Sequence, residues 1–389
     1  MLCLDLAWNN PRSEAALLNN LGQLHLSVRN YGLASEFFTL RLQLPFVTTE
    51  EQLLTHWQLA KSLFYSNRMK AASHQAELAL TLSQQTSKAD QLIALEKAGF
   101  YALQAENFPL ALKHYQALLQ TKALSGLNLT KAEFSLAYLN FKLGNQAPAE
   151  VGFKRVLEQL PSLSAAAFKV GDQPRFSPER LSLQSYGFLA QLAKSPEEKL
   201  NWLEKRMQLL TGLKIKDLRY GLDEENRLSQ LIQAQLQAAV LLEKLQRPEQ
   251  LAQQMQTNLA SLGDWQKNGG SVISQPVLQS VYNYLVLAAS YPDAFAKEPK
   301  QLAELLKKIQ KEWVVEPETP AYNQAQRLKL SLLTAGYKFG LQQLTSQGLA
   351  AELEALKVGA NWQGLAVTRP DLHQELQALA AGLLSQAKP

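Results

Sequence analysis

Gly22, Ala60, Gly99 and Ala137 follow one another at intervals of 38, 39 and 38 residues. The same intervals separate Ala34, Ala72, Ala111 and Ala149, and again Phe38, Ala76, Tyr115 and Phe153. A fixed period of this size is the mark of stacked helix–turn–helix units. One such unit cannot bury its own apolar face, so neighbouring units share one elongated core. The period therefore predicts a scaffold whose extended surface binds something, and it is silent about what is bound.

The rest of the chain agrees with an all-α fold. It is rich in Leu, Ala, Gln, Glu and Lys, which favour helices, and it lacks the alternating apolar pattern of strands. A chain of 389 residues could form two or three ordinary domains. A solenoid can equally run this far as one body, because each unit touches only its neighbours. The formal charge of +5 is small and spread out, with no basic stripe for nucleic acid and no cationic amphipathic tail for a membrane surface. Cys3 stands alone, so no disulfide can form within the chain, and it reads as a small apolar residue. The longest apolar stretches, such as Tyr284–Ala289, are far shorter than the roughly 20 residues of a spanning helix. A cytoplasmic location is the simplest reading; a periplasmic one holds if the chain is cut from a longer protein. The start, Leu4-Asp5-Leu6-Ala7-Trp8, reads as the tail of a second helix, which implies a missing upstream repeat.

The fourth repeat is the clearest. It runs Ala132, Leu136-Ala137, Gly144-Asn145, Ala149, Phe153, Val156-Leu157 and Pro161. Gly144-Asn145 signals the turn between two helices, and Pro161 ends the second. The first repeat has Leu21-Gly22, Asn30-Tyr31, Ala34 and Phe38; the third has Ala98-Gly99, Asn107-Phe108, Ala111 and Tyr115. The second is weaker, with Ala60, Asn67, Ala72 and Ala76. This pattern resembles that of the tetratricopeptide family, a right-handed α–α superhelix of antiparallel helix pairs in which small residues sit where the two helices cross. The family period is about 34 residues, so the longer period here implies longer loops between repeats or longer second helices. The family's tryptophan is out of register; Trp57 lies close to its place in the second repeat.

The sequence divides accordingly. Four repeats cover 1–161, a loop or hinge covers 162–178, and two further divergent helix pairs cover 179–263. Gly263–Gly270 reads as a Gly-rich break, and 271–389 as an irregular helical region. It ends in a capping helix whose stripe is Leu372, Leu376, Leu379, Ala380 and Leu383.

Nothing in the sequence assembles a catalytic site. His25, His56, His74, His114 and His373 form no metal-binding pair at helical spacing. No phosphate loop and no nucleophile elbow occurs. The sequence reading is therefore a non-enzymatic chain that needs no metal or cofactor.

The resemblance implies that the first helix of each repeat lines a concave groove. In that register the groove receives Asn19 and Gln23 from the first repeat, and Trp57, Lys61, Phe64 and Tyr65 from the second. Glu96, Phe100 and Gln104 come from the third, Phe134, Tyr138, Phe141 and Lys142 from the fourth, and Gln184 and Phe188 from a fifth pair. Rings give large contact area at low entropy cost, which suits binding. The family's lysine–asparagine clamp for a terminal carboxylate does not carry over, because Asn19 and Gln23 occupy its first positions. The leading expectation is a scaffold or adaptor for another protein or peptide, with self-association open and no nucleic acid or membrane insertion. Two alternatives stand beside it. One is a sensor gated by a small ligand or peptide, which would need a compact pocket. The other is a periplasmic repeat domain of an envelope export or polysaccharide secretion apparatus.

Overall fold

In a computed structural model of the chain, the described residues are 11–44, 47–162, 177–213, 224–271, 273–295, 299–313, 320–341 and 344–386. All regular structure among them is helical, and the fold class is all-α. The residues divide into two compact units, Met1–Leu192 and Ala193–Pro389.

Among the described residues, the first unit contains four pairs of α-helices and one further α-helix. The first helices of the pairs are α1 (Pro11–Ser27), α3 (Thr49–Tyr65), α5 (Lys88–Gln104) and α7 (Gly126–Lys142). The second helices are α2 (Tyr31–Leu42), α4 (Met69–Ser83), α6 (Phe108–Gln120) and α8 (Gln146–Gln159). Each helix packs on its neighbours in chain order, and α9 (Pro178–Leu192) packs on α8. Every first helix has 17 residues, against 12 to 15 for the second helices.

One turn is reused in all four pairs. Arg29, Asn67, Glu106 and Gly144 hold left-handed backbone, with φ of 62°, 62°, 59° and 78°. The next residue's N–H reaches five residues back, as in Asn30 to His25 at 2.8 Å and Asn145 to Asn140 at 2.8 Å. This is the bond of a Schellman cap, which satisfies carbonyls left over at a helix end. The second helices then start at this turn, with Asn30 and Asn107 accepting from Leu33 N–H and Leu110 N–H.

The core follows from the small residues. Ala34, Ala72, Ala111 and Ala149 are fully buried, and so are Phe38 and Phe153. Gly22 lets α2 approach closely: a methyl there would stand 2.5 Å from Phe38 Cε1. Polar links tie successive repeats. Buried Arg41 donates to Asn19 Oδ1 at 3.3 Å and to Thr55 Oγ1, and lies 3.5 Å from Glu51. His114 Nε2 lies 2.7 Å from Glu77 Oε1.

The second unit begins with α10 (Pro196–Gly212), α11 (Glu224–Lys244) and α12 (Pro248–Lys267), packed in series. The two helices expected as a fifth pair thus fall in different units. Inside the α11–α12 seam, Gln235 donates to Ser261 at 3.0 Å and accepts from Asn258 at 3.2 Å. The expected break over Gly263–Gly270 is corrected: α12 runs through Gly263 to Lys267 because Trp265 is anchored in the core, and the chain turns at Gly269, φ 88°. Next come α13 (Gln275–Ser290) and α14 (Lys300–Glu312). Helix α15 (Ala321–Gly340) is then the hub for α16 (Ser346–Val358), α17 (Ala360–Thr368) and α18 (Pro370–Gln386). Leu376, Ala380 and Leu383 of the expected stripe are buried against Leu332 and Trp362 in that cluster, with Leu372 and Leu379 beside them. The expected hinge lies almost wholly outside the described residues, as do Cys3 and the first ten positions.

Candidate functional site

Five of the groove residues expected from the sequence converge. Lys61, Phe64 and Tyr65 on α3 and Glu96 and Phe100 on α5 line a cavity of about 460 Å³. The helical arrangement explains why they share it. Phe64 and Tyr65 lie three and four residues after Lys61, which puts both next to it on one side of α3. Phe100 follows Lys61 by one period of 39 residues, so the stacked repeat brings it alongside.

The rings form one connected set. Phe64 lies 5.5 Å from Phe100 and 5.8 Å from Tyr101 between ring centroids, and Phe100 lies 5.2 Å from Tyr101. Tyr65 stacks on Tyr31 at 5.0 Å. Tyr101, Tyr115 and Leu118 are buried and make the floor, while Lys61, Tyr65, Ile93 and Glu96 are exposed at the mouth. Such volumes are typical of ligand sites, which span roughly 300–1,000 Å³.

Sequence reasoning missed several residues here. Tyr115 read only as a crossing residue, yet its ring packs beside Gly99 and also floors the cavity. Lys97 and Lys131 were passed over because the family register selects their neighbours. A signal was present: Lys97 precedes Tyr101, and Lys131 precedes Ser135, by four residues, so each pair shares a helix face.

Electrostatics at the site are set by burial. Burial pushes the Tyr115 hydroxyl up to about 12, an effect that a hydrogen bond with Ser135 opposes and the Glu96 carboxylate reinforces. Burial raises Tyr101 further, with a smaller contribution from Tyr65. The Lys97 ammonium is pulled below the ordinary lysine range by burial; Glu96 counteracts this and Lys61 adds to it. Lys97 Nζ also lies 5.4 Å from the Trp57 ring centroid, which places Trp57 at the edge of the site.

The remaining expected residues lie elsewhere. Phe134 is corrected to a core residue. It is buried against Phe153 at 5.7 Å and Phe188 at 6.4 Å, because it meets the adjoining α8 and α9. Phe188 itself stacks on Phe153 at 4.9 Å, filling the seam between repeats. Tyr138 and Phe141 are half-buried around Phe188, at 5.5 and 5.0 Å. Exposed Lys142 lies over the rings of Tyr138 and Phe108, at 5.6 and 6.0 Å. These residues form a second aromatic cluster, separate from the cavity lining. Asn19 is a partner of Arg41, and neither it nor Gln23 lines the cavity.

The turn, the buried alanines and the small residue at the helix crossing (Gly22, Ala60, Gly99, Ala137) repeat together in all four pairs. The first unit is a tetratricopeptide-like helical repeat. No family model matches the chain, and no curated protein matches it. Solved structures of helical repeats do resemble it. Apo RapI matches over 96% of each chain at 9% identity and a TM-score of 0.48. A Rap protein complexed with Competence and Sporulation Factor matches over 96% of this chain and 99% of its own, at 12% identity and a TM-score of 0.36. BtubC from P. vanneervenii matches over 55% of this chain and 88% of its own, at 18% identity and a TM-score of 0.41. Likeness at this level says nothing of what the present chain binds.

Proposed function

We propose that the chain is a non-enzymatic scaffold that holds a segment of another protein in the aromatic face of its first unit. The cavity walled by Phe64, Tyr65, Phe100, Tyr101 and Tyr115 carries this reading. It offers an apolar floor for an anchoring side chain and polar groups at the rim to fix orientation, the anatomy of a binding hot spot. The exposure of Lys61, Tyr65, Ile93 and Glu96 at its mouth favours an open groove over the sealed pocket that a small-ligand sensor needs.

The test is affinity capture from a native lysate with the intact chain and a Tyr65→Ala/Phe100→Ala variant, read by mass spectrometry beside circular dichroism. The reading expects one protein retained by the intact chain and lost by the equally helical variant. Equal retention by both would count against the groove.

A further inference from the structure

The second unit carries a cleft of its own, of about 630 Å³, between α13 and α15, with Trp313 at the end of α14 in its wall. Two rows of side chains run along the cleft side of α13. Gln275, Gln279 and Asn283 follow one another at intervals of four residues, and so do Leu278, Tyr282 and Val286. Residues four apart lie one above the other on a helix, so a row of carboxamides stands beside a row of largely apolar groups. Asn323 and Gln326 add two more carboxamides from α15. Glutamine is common throughout this chain; the spacing, and not the number, sets this group apart.

The Tyr282 hydroxyl donates to the backbone carbonyl of Gln326, which ties the two helices together. Gln279 Nε2 donates to Asn283 Oδ1 at 2.9 Å. That bond orients both groups and leaves the Gln279 carbonyl to accept and the Asn283 amide to donate. Lys329 is the one charged side chain among the described residues of the lining, and Glu375 Oε1 meets it at 2.7 Å. A charged ligand would therefore give up hydration without gaining an unpaired countercharge. The ligand that fits is uncharged, carries groups that both donate and accept, and has an apolar face. A sugar ring has this chemistry, with hydroxyls at its edge and C–H groups on the face that packs against aromatic side chains. An extended peptide also pairs with carboxamides, but its side chains alternate and call for spaced pockets, whereas α13 offers one continuous row.

We infer that this cleft binds a neutral oligosaccharide, independently of the scaffold reading of the first unit. Sugar rings lie along Leu278, Tyr282 and Val286 with Trp313 against one of them, and their hydroxyls pair with the carboxamides of α13 and α15. The test is titration calorimetry of the full chain with three uncharged hexasaccharides: cellohexaose, maltohexaose and N-acetylchitohexaose. A glucosamine hexamer, a galacturonate hexamer and an uncharged peptide of Ser, Thr and Val are the controls. At least one neutral sugar should bind at a single site per chain, with an affinity that salt hardly changes. Both charged hexamers should bind at least about tenfold more weakly, a change of about 1.4 kcal/mol. Trp313→Ala and Gln279→Ala/Asn283→Ala should each weaken the neutral sugar by at least about tenfold. Their melting temperatures should stay nearly unchanged, because these side chains are exposed or half-buried.

No saturable binding of any of the three neutral sugars would overturn the inference. So would indifference to both cleft variants, or equally tight binding of a charged hexamer. Tighter binding of the peptide than of every sugar would overturn it in favour of a peptide segment as occupant. Tyr65→Ala/Phe100→Ala should leave sugar binding intact; its loss in that variant would contradict a site confined to the second unit.

Discussion

A methyl group built on Gly99 would stand 3.0 Å from the Tyr115 ring, and Tyr115 is also the floor of the cavity. The helix crossing and the binding site are thus one piece of packing. At Gly22 the fit against Phe38 is tighter, at 2.5 Å. Overpacking costs about 1–3 kcal/mol, and Gly to Ala in a helix regains about 1 kcal/mol. Gly22→Ala should therefore destabilise the first unit by about 1–2 kcal/mol, while Gly99→Ala stays within about 1 kcal/mol because the ring can give. Urea unfolding of both variants checks the order, and Gly99→Ala should still impair binding by shifting Tyr115.

Left-handed backbone at Arg29 and Glu106 is strained for residues with a side chain. Glycine relieves about 1–2 kcal/mol of that strain and forfeits up to about 1 kcal/mol of unfolded-chain entropy. Arg29→Gly and Glu106→Gly should each raise stability by about 0.5–1 kcal/mol in thermal or urea unfolding. Gly144→Ala should lower it, since its φ is 78°.

The buried Tyr115 hydroxyl makes stability depend on alkali. Its folded value, about 12, lies above the value of about 10 for a free tyrosine. Between those values the unfolded chain has already released the proton and the folded chain has not. The contribution is complete below about pH 10 and disappears as pH rises to about 12. Tyr115→Phe should lower stability at neutral pH through the lost Ser135 bond, yet flatten this alkaline fall. Urea midpoints measured across that range would show it.

Phe134 and Asn19 distinguish packing from binding. Phe134→Ala should cost about 3–5 kcal/mol because its ring fills the seam at Phe153 and Phe188. Asn19→Ala should cost about 1 kcal/mol through the lost bond from Arg41. At temperatures where each remains folded, neither should alter partner capture from a native lysate. A binding loss in either would return it to the groove.

The architecture was legible because burial repeats. Ala34, Ala72, Ala111 and Ala149 must be small wherever two helices cross, so the period survives in the sequence. The turn was legible only at Gly144; Arg29 and Glu106 adopt the same left-handed backbone with no composition cue. The site was half legible. Lys61, Phe64, Tyr65 and Phe100 follow the register, but Phe134 sits on the same register and faces core, because α9 supplies Phe188 to cover it. Whether a neighbouring helix covers a helix face is decided by residues far along the chain, and no local spacing encodes it.

The most direct test of the central claim is site-specific photocrosslinking in a native lysate, with benzoylphenylalanine placed at Tyr65 in the mouth of the cavity or at Leu40, exposed on the second helix α2. The expected result is a discrete protein adduct from position 65 and none from position 40. Adducts from both positions alike, or from position 40 only, would contradict it.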